Sequence, residues 1–87
     1  MRIYKYELDL QDRVCIDMPK GARALTVQMQ RGVPCIWAIV EQYADTEERA
    51  FRVYGTGQQM DDPGEYIGTF QMQEGALVFH VFEEKAK

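Results

Sequence analysis

The stretch RVYGTGQQMDDPGEYIGTF contains a glycine pattern that invites comparison with a phosphate-binding loop. A dinucleotide-binding fingerprint places G-x-G-x-x-G between a strand and a helix whose N-terminus meets the phosphate. Gly55 and Gly57 match the first two positions, but Met60 occupies the third, and no Gly-Lys-Ser/Thr of a Walker loop follows. The two aspartates that come next would repel a phosphate. The pattern therefore predicts a long turn between two strands and no dinucleotide or P-loop site.

The same loop is the best candidate for a recognition element, because exposed loops carry binding residues more often than strands do. The strand before it brings an arginine and a tyrosine close together, and such a pair can stack a flat ligand such as a nucleobase. Plain packing on a sheet is the favoured explanation of the pair, and stacking of a ligand stays open as the alternative. The candidate binding residues are Arg52, Tyr54, Thr56, Gln58, Gln59, Asp61 and Asp62.

No catalytic constellation is predicted. His80 is the only histidine and falls within an apolar strand pattern, where a hydrogen-bonded structural role is typical. Cys15 and Cys35 are the only cysteines, and both are expected to be reduced, half-buried thiols inside strands, with a disulfide between them left open. Two cysteines and one histidine fall short of a tetrahedral zinc site. We therefore expect a non-enzyme with no metal and no cofactor.

The elements that must position these residues are strands, because the dominant hydrophobic period is two. The segments YKYELDL, RVCIDM and LTVQMQ alternate apolar or aromatic side chains with polar ones. Strands of this kind bury one face and leave the other in water. The side chains expected to point inward are Tyr4, Tyr6, Leu8, Leu10, Val14, Ile16, Met18, Leu25, Val27 and Met29.

The segment CIWAIVEQ differs, because Cys35 to Val40 are apolar without alternation. Such a run is typical of a strand that is covered on both faces. It is the predicted central strand, and Trp37 is a predicted anchor of the core or of a subunit interface. The charged connection YADTEER is expected to allow a short helical turn capped by Asp45 or Thr46. AFRVY, YIGTFQMQ and ALVFHVFEE complete the set of strands.

Turn residues separate the strands. Gly32 in QRGVP and Gly75 in QEGA are expected at hairpin bends, while Gly55 and Gly57 should let the chain leave the fifth strand at unusual dihedral angles. The prediction is a single all-β domain over residues 1–87: a small antiparallel sandwich or partly open barrel of about seven short strands.

The net charge of the chain restricts the kinds of partner that it is expected to bind. The net charge of −4, from 14 acidic and 10 basic residues, argues against binding to nucleic acid, which needs clustered Lys and Arg. The N-terminal MRIYKYELDL alternates and carries charge, unlike a signal peptide, and no apolar run reaches the length of a membrane span. A cytoplasmic location without membrane contact is expected. An acidic chain would suit a basic partner through electrostatic steering.

Four segments, IYKYEL, GVPCIWAIVE, RAFRVYGTG and YIGTFQMQEGALVFHVFE, carry a resemblance that covers Arg2 to Glu83. In these segments the chain resembles a family of small, single-domain proteins of unknown function that phages and prophages encode. The resemblance implies a phage or prophage origin and expression in the bacterial host cytoplasm. It transfers no catalytic residue. Small phage proteins of this kind often act on host machinery, so the resemblance also implies a counter-defence role.

Three hypotheses about function follow. The first is a non-enzymatic phage or prophage accessory protein that binds a host or phage protein. The second is a homo-oligomer, a homodimer being the simplest, that binds or sequesters a small molecule of nucleotide type through Arg52, Tyr54 and the loop at 55–65. The third is a structural component of the virion or of its assembly.

Overall fold

The computed structural model describes residues 1–85 and consists of seven antiparallel strands in two sheets. A three-stranded sheet has the order β1-β4-β3, and a four-stranded sheet has the order β2-β5-β7-β6. The strands are β1 Arg2–Glu7, β2 Arg13–Pro19, β3 Arg23–Gln30, β4 Val33–Val40, β5 Thr46–Gly55, β6 Glu65–Met72 and β7 Leu77–Glu83. The predicted all-β fold is confirmed.

The core lies between the inward faces of the two sheets. Ile36 of β4, Phe51 of β5 and Val81 of β7 are completely buried and belong to one contiguous apolar cluster. Because strand side chains alternate between faces, Val53 also points into this cluster, whereas Arg52 and Tyr54 point away from it. The period of two in the sequence therefore sets which side chains form the core.

The two sheets meet closely at β3 and β6. A Cβ atom added at Gly68 would lie 2.9 Å from Val27 Cγ1 and 3.2 Å from the Val27 backbone nitrogen. Only glycine lets the two backbones approach this far. No ladder joins β3 to β6 or β1 to β2 within the described chain, so the sheets form a sandwich or open barrel and no closed barrel.

Two leucines predicted to point inward do not. Leu25 is 40% exposed because it is the extra residue of a β-bulge between Ala24 and Thr26, which breaks the alternation of β3. Leu10 is 44% exposed because β1 ends at Glu7 and the chain beyond it no longer alternates. Tyr4 is only partly covered, at 38% exposure.

The charged connection before β5 contains no helical turn. The strand begins at Thr46, and the segment 46–49 pairs with β2, Thr46 lying opposite Pro19. Pairing with a neighbouring strand thus overrides the local capping pattern. At the far end of β5, Gly57 has a positive φ of 88° as expected, but Gly55 does not and remains part of the strand.

Both predicted glycine hairpins are present. Gly32 and Arg31 both have positive φ, at 80° and 51°, which is the requirement of a type I′ turn. The β6–β7 connection is a tight turn over Gln73–Gly75, in which all three residues have positive φ. The described part of the chain holds no helix with the length and hydrophobicity needed to cross a bilayer.

Candidate functional site

The outward face of the four-stranded sheet carries the predicted strand residues of the site. Arg52 lies opposite Phe82, and Tyr54 lies opposite His80, across the β5–β7 ladder. Both are partly exposed, while their chain neighbours Phe51 and Val53 are buried in the core. The alternation of β5 therefore places Arg52 and Tyr54 side by side on the solvent side of the sheet.

An aromatic row crosses this face. The ring centroids of Tyr54 and Phe82 are 5.9 Å apart in an edge-to-face arrangement, and those of Tyr66 and Phe82 are 5.4 Å apart. These separations lie in the range that favours aromatic pairs. Phe82 is thus the centre of the row, and it holds a tyrosine on each side.

His80 joins the loop after β5 to the sheet. Its Nε2 is hydrogen-bonded to Thr56 Oγ1 at 2.8 Å, and its Nδ1 to Thr69 Oγ1 at 2.9 Å. The Tyr66 hydroxyl is hydrogen-bonded to the same Thr69 oxygen at 2.6 Å. Both ring nitrogens therefore engage hydroxyl groups, and the contacts support a structural role in which His80 fixes the start of the loop.

Glu84 accepts hydrogen bonds from two arginines at the edge of the aromatic row. Arg13 Nε and Arg52 Nε donate to the same Glu84 oxygen, at 2.7 Å and 2.6 Å. These hydrogen bonds, first from Arg13 and then from Arg52, lower the pKa of Glu84 from 4.5 to about 2. Glu84 lies just beyond β7, and no sequence pattern marked it or Arg13 as part of a site.

The loop at 56–64 folds against this face and lines an open cleft of about 440 Å³. Its position is fixed at both ends. At the start, the Gly55 amide donates to Gln58 Oε1 at 3.0 Å; at the end, Gly64 packs so tightly on β7 that an added Cβ would lie 2.1 Å from the Glu83 carbonyl oxygen. Of the predicted binding residues, the cleft is lined by Arg52, Tyr54, Gln58, Gln59, Asp61 and Asp62.

The structure therefore brings six of the seven predicted residues together. Thr56 is separate, because its hydroxyl is engaged by His80. The cleft also contains Glu84 and Lys85, and Lys85 Nζ lies 3.6 Å from Asp62 Oδ2.

A larger opening of about 560 Å³ lies along the start of β5 and the end of β7, and five of its ten lining residues are glutamates. Its arginine, Arg49, donates to both carboxylate oxygens of Glu83 and to Glu47 at 3.4 Å. The hydrogen bond to Glu83 raises the pKa of Arg49 above its ordinary value. Because that guanidinium is already satisfied by neighbouring carboxylates, this opening offers a ligand little beyond negative charge.

The two cysteines are free thiols in different sheets. Cys35 in β4 is buried, and its sulfur contacts the Val33 carbonyl oxygen at 3.5 Å. Cys15 in β2 is exposed, which corrects the expectation of a half-buried thiol, because it alternates with the inward-facing Val14 and Ile16. His80 engages neither thiol.

A second surface lies on the outward side of the three-stranded sheet. Trp37 is half-buried and lies outside the core, although its neighbours Ile36 and Ala38 are fully buried in it. In the ladders around β4, Trp37 lies opposite Lys5 and Thr26, and Ile39 lies opposite Ile3. Cys35 on this side is buried, but Trp37 and Ile39 keep part of their surface in solvent, so the expected cover on the second face of β4 is incomplete. We call this surface the Trp37 face and define it by Ile3, Lys5, Thr26, Trp37 and Ile39.

Basic side chains surround the Trp37 face. Arg23 lies opposite Ile39 on the same side of the sheet, and Arg31 lines a shallow groove of about 330 Å³ together with Lys5. Glu7 is the acidic residue of that groove. The local charge is thus positive, opposite in sign to the charge of the whole chain.

Comparison with known proteins identifies the family of the chain but no activity or ligand. The chain matches none of the curated proteins and none of the solved structures. A family model described as "Domain of unknown function (DUF7352)" matches residues 1–87. The chain therefore belongs to the DUF7352 family.

Proposed function

We propose that this protein is a non-enzymatic binding protein that uses the Trp37 face to engage a second protein. The observation that carries the proposal is the composition of β4. Trp37 and Ile39 on its outward side are apolar yet keep part of their surface in solvent, whereas Ile36, Ala38 and Val40 on its inward side are buried. A partly exposed tryptophan flanked by two isoleucines on the outer face of a sheet is typical of the centre of a protein interface.

The rim of the face defines the chemistry of the partner. Lys5, Arg23 and Arg31 outnumber Glu7 around the apolar centre. A complementary surface would be apolar in the middle and carry carboxylates at its edge. The proposed acidic rim replaces the expectation of a basic partner, which was drawn from the net charge of −4. The acidic residues concentrate on the other sheet, so the sign of the whole chain does not describe this surface.

The resemblance to phage and prophage proteins supplies the biological setting of the proposal. In that setting the protein is a phage or prophage accessory protein in the bacterial cytoplasm, and its partner is a host or phage protein. Counter-defence is one role that such binding would serve. A structural role in the virion is the competing assignment, and detection of the protein in purified particles would favour it.

Comparative affinity capture tests this function. The wild type and a Trp37→Ser variant would be expressed in a bacterial host, purified gently and compared for one co-purified protein at fixed stoichiometry. We expect the wild type to retain the partner and Trp37→Ser to lose it. Tyr43→Ser is the matched control, because Tyr43 is 92% exposed and lies in the turn between β4 and β5.

Charge reversal provides a second variant that does not remove apolar packing. Lys5 is exposed, and its Nζ donates to Gln30 Oε1 at 2.7 Å. Lys5→Glu should weaken capture because it places a carboxylate against the acidic rim of the partner. Equal recovery of the same protein by the wild type, Trp37→Ser and Lys5→Glu would refute the proposed surface.

A further inference from the structure

The geometry points to the cleft beneath the 56–64 loop as a binding site for a planar, uncharged heterocycle of nucleobase type, recognised by its ring and edge and not by a phosphate. This site is on the four-stranded sheet and does not depend on the Trp37 face. Its volume of about 440 Å³ falls within the range of small-molecule sites, about 300–1,000 Å³.

Tyr54 provides the stacking surface. It lines the cleft, and Phe82 contacts it edge-on with a centroid distance of 5.9 Å and an interplanar angle of 73°. This contact limits rotation of the tyrosine ring before any ligand arrives. Stacking of a base on an aromatic ring is tolerant of base identity, because every base presents a π-face.

Arg52 provides donors at the edge of the cleft. Within residues 1–85, it donates only its Nε to a carboxylate, that of Glu84, so both terminal nitrogens remain able to donate to a ligand. The bond to Glu84 also fixes the direction of the guanidinium plane. Gln58 uses its Oε1 to accept from the Gly55 amide, which leaves its amide nitrogen as another donor.

Asp61 provides acceptors on the loop side of the same cleft. Asp62 lies beside it, but its Oδ1 accepts from the Gly64 amide at 3.2 Å and its Oδ2 lies 3.6 Å from Lys85 Nζ. Carboxylates accept hydrogen bonds from ring N–H and exocyclic amino groups, which nucleobases carry alongside acceptors. The same carboxylates oppose a phosphate group, and the Lys85 ammonium lies against Asp62. A cleft that combines arginine donors with carboxylate acceptors suits a neutral ring with both functions better than it suits a polyanion.

The loop that forms the outer wall is anchored in the free protein. At the start of the loop, Thr56 is hydrogen-bonded to His80. At the end of the loop, Gly64 packs against the Glu83 carbonyl. A preformed wall lowers the ordering cost of binding.

An NMR titration of ¹⁵N-labelled protein tests the inference. The probes are adenosine, guanosine, cytidine and uridine, each paired with its 5′-triphosphate, at low salt. We expect at least one nucleoside to shift backbone amides within residues 52–64, and its triphosphate to bind no more tightly. The inference is overturned if no nucleoside shifts these amides at about 1 mM, a very weak affinity limit. Tighter binding of the triphosphate would overturn it as well.

Variants separate the site from a general effect on folding. Tyr54→Ala should weaken nucleoside binding about tenfold or more, within the range for loss of base stacking, while the exposed-tyrosine control Tyr43→Ala should not change it. Asp61→Asn should weaken the nucleoside but strengthen its triphosphate, because a repulsive charge is removed. This opposite change cannot come from partial unfolding. Unchanged affinities in both Tyr54→Ala and Asp61→Asn would contradict the assigned site.

Discussion

Ile36 and Trp37 are neighbours in β4, yet Ile36 is fully buried in the core and Trp37 lies half-buried on the opposite face of the sheet. The two side chains have similar hydrophobic character but different environments. One packs between the sheets, and the other meets solvent beside Lys5 and Ile39. Their difference separates the part of β4 that holds the fold from the part we assign to binding.

The first prediction concerns the stability of these two positions. Ile36→Ala should lower the free energy of unfolding by about 3 kcal/mol, because it removes buried methyl groups and leaves a cavity. Trp37→Thr should cost less, about 2 kcal/mol, because threonine favours strands and the partly buried indole lies outside the core. Urea unfolding of both variants measures the difference. Equal losses would show that Trp37 belongs to the fold as much as Ile36 does.

A second prediction concerns the wall of the cleft. Gly64→Ala should destabilise the protein by roughly 2–4 kcal/mol, because a Cβ at positive φ also collides with backbone. Gly57 is the matched control, since it has a similar positive φ of 88° but nothing within 4 Å of an added Cβ. Gly57→Ala should cost only about 1 kcal/mol, from backbone strain alone. Thermal melts of the two variants show whether close packing or backbone conformation causes most of the stability loss at Gly64.

A third prediction concerns acid stability. The pKa of Glu84 falls from 4.5 to about 2 when the protein folds, mainly through hydrogen bonds from Arg13 and then Arg52. A pKa that is lower in the folded state adds stability above the unfolded value. That contribution should be complete above about pH 4.5 and should be lost as the pH falls toward 2. The stability difference between wild type and Glu84→Gln, from melts at several pH values, should therefore shrink across this window. A constant difference would argue against the ion pairs.

A fourth prediction uses the β3–β4 turn. Arg31 adopts a φ of 51° before Gly32, a conformation that asparagine accepts more readily than arginine. Arg31→Asn should therefore stabilise the protein by about 0.5 kcal/mol. Arg31→Val should destabilise it by about 1 kcal/mol, because a β-branched side chain disfavours this conformation. The order Asn, Arg, Val in unfolding free energy is the expected result, and any other order would contradict a turn of this type.

The fold was largely predictable because alternation is a local property. The alternation of apolar and polar residues indicates the buried face of a strand within a few residues, as Val14 and Ile16 do in β2. The wrong predictions concerned features that leave no signal in the neighbouring sequence. The bulge at Leu25 depends on pairing with β4, and the strand at Thr46 depends on pairing with β2.

The site was only partly predictable for the same reason. The loop residues and Arg52 with Tyr54 are close in sequence, so their proximity could be inferred. Phe82 and Glu84 reach them only through the β5–β7 pairing. The partial exposure of Trp37 could not be predicted from the sequence. An uninterrupted apolar run has the same pattern whether its second face is covered by its own chain or by another protein.

Site-specific photocrosslinking in a bacterial host shows whether the Trp37 face contacts another protein. A photoreactive amino acid would replace Ile3, which is 62% exposed on the Trp37 face, or Gln71, which is exposed on the outward side of the other sheet. We expect one protein to crosslink at reproducible stoichiometry from position 3 and not from position 71. No product from position 3, the same products from both positions, or a crosslink only to a second copy of this chain would contradict it.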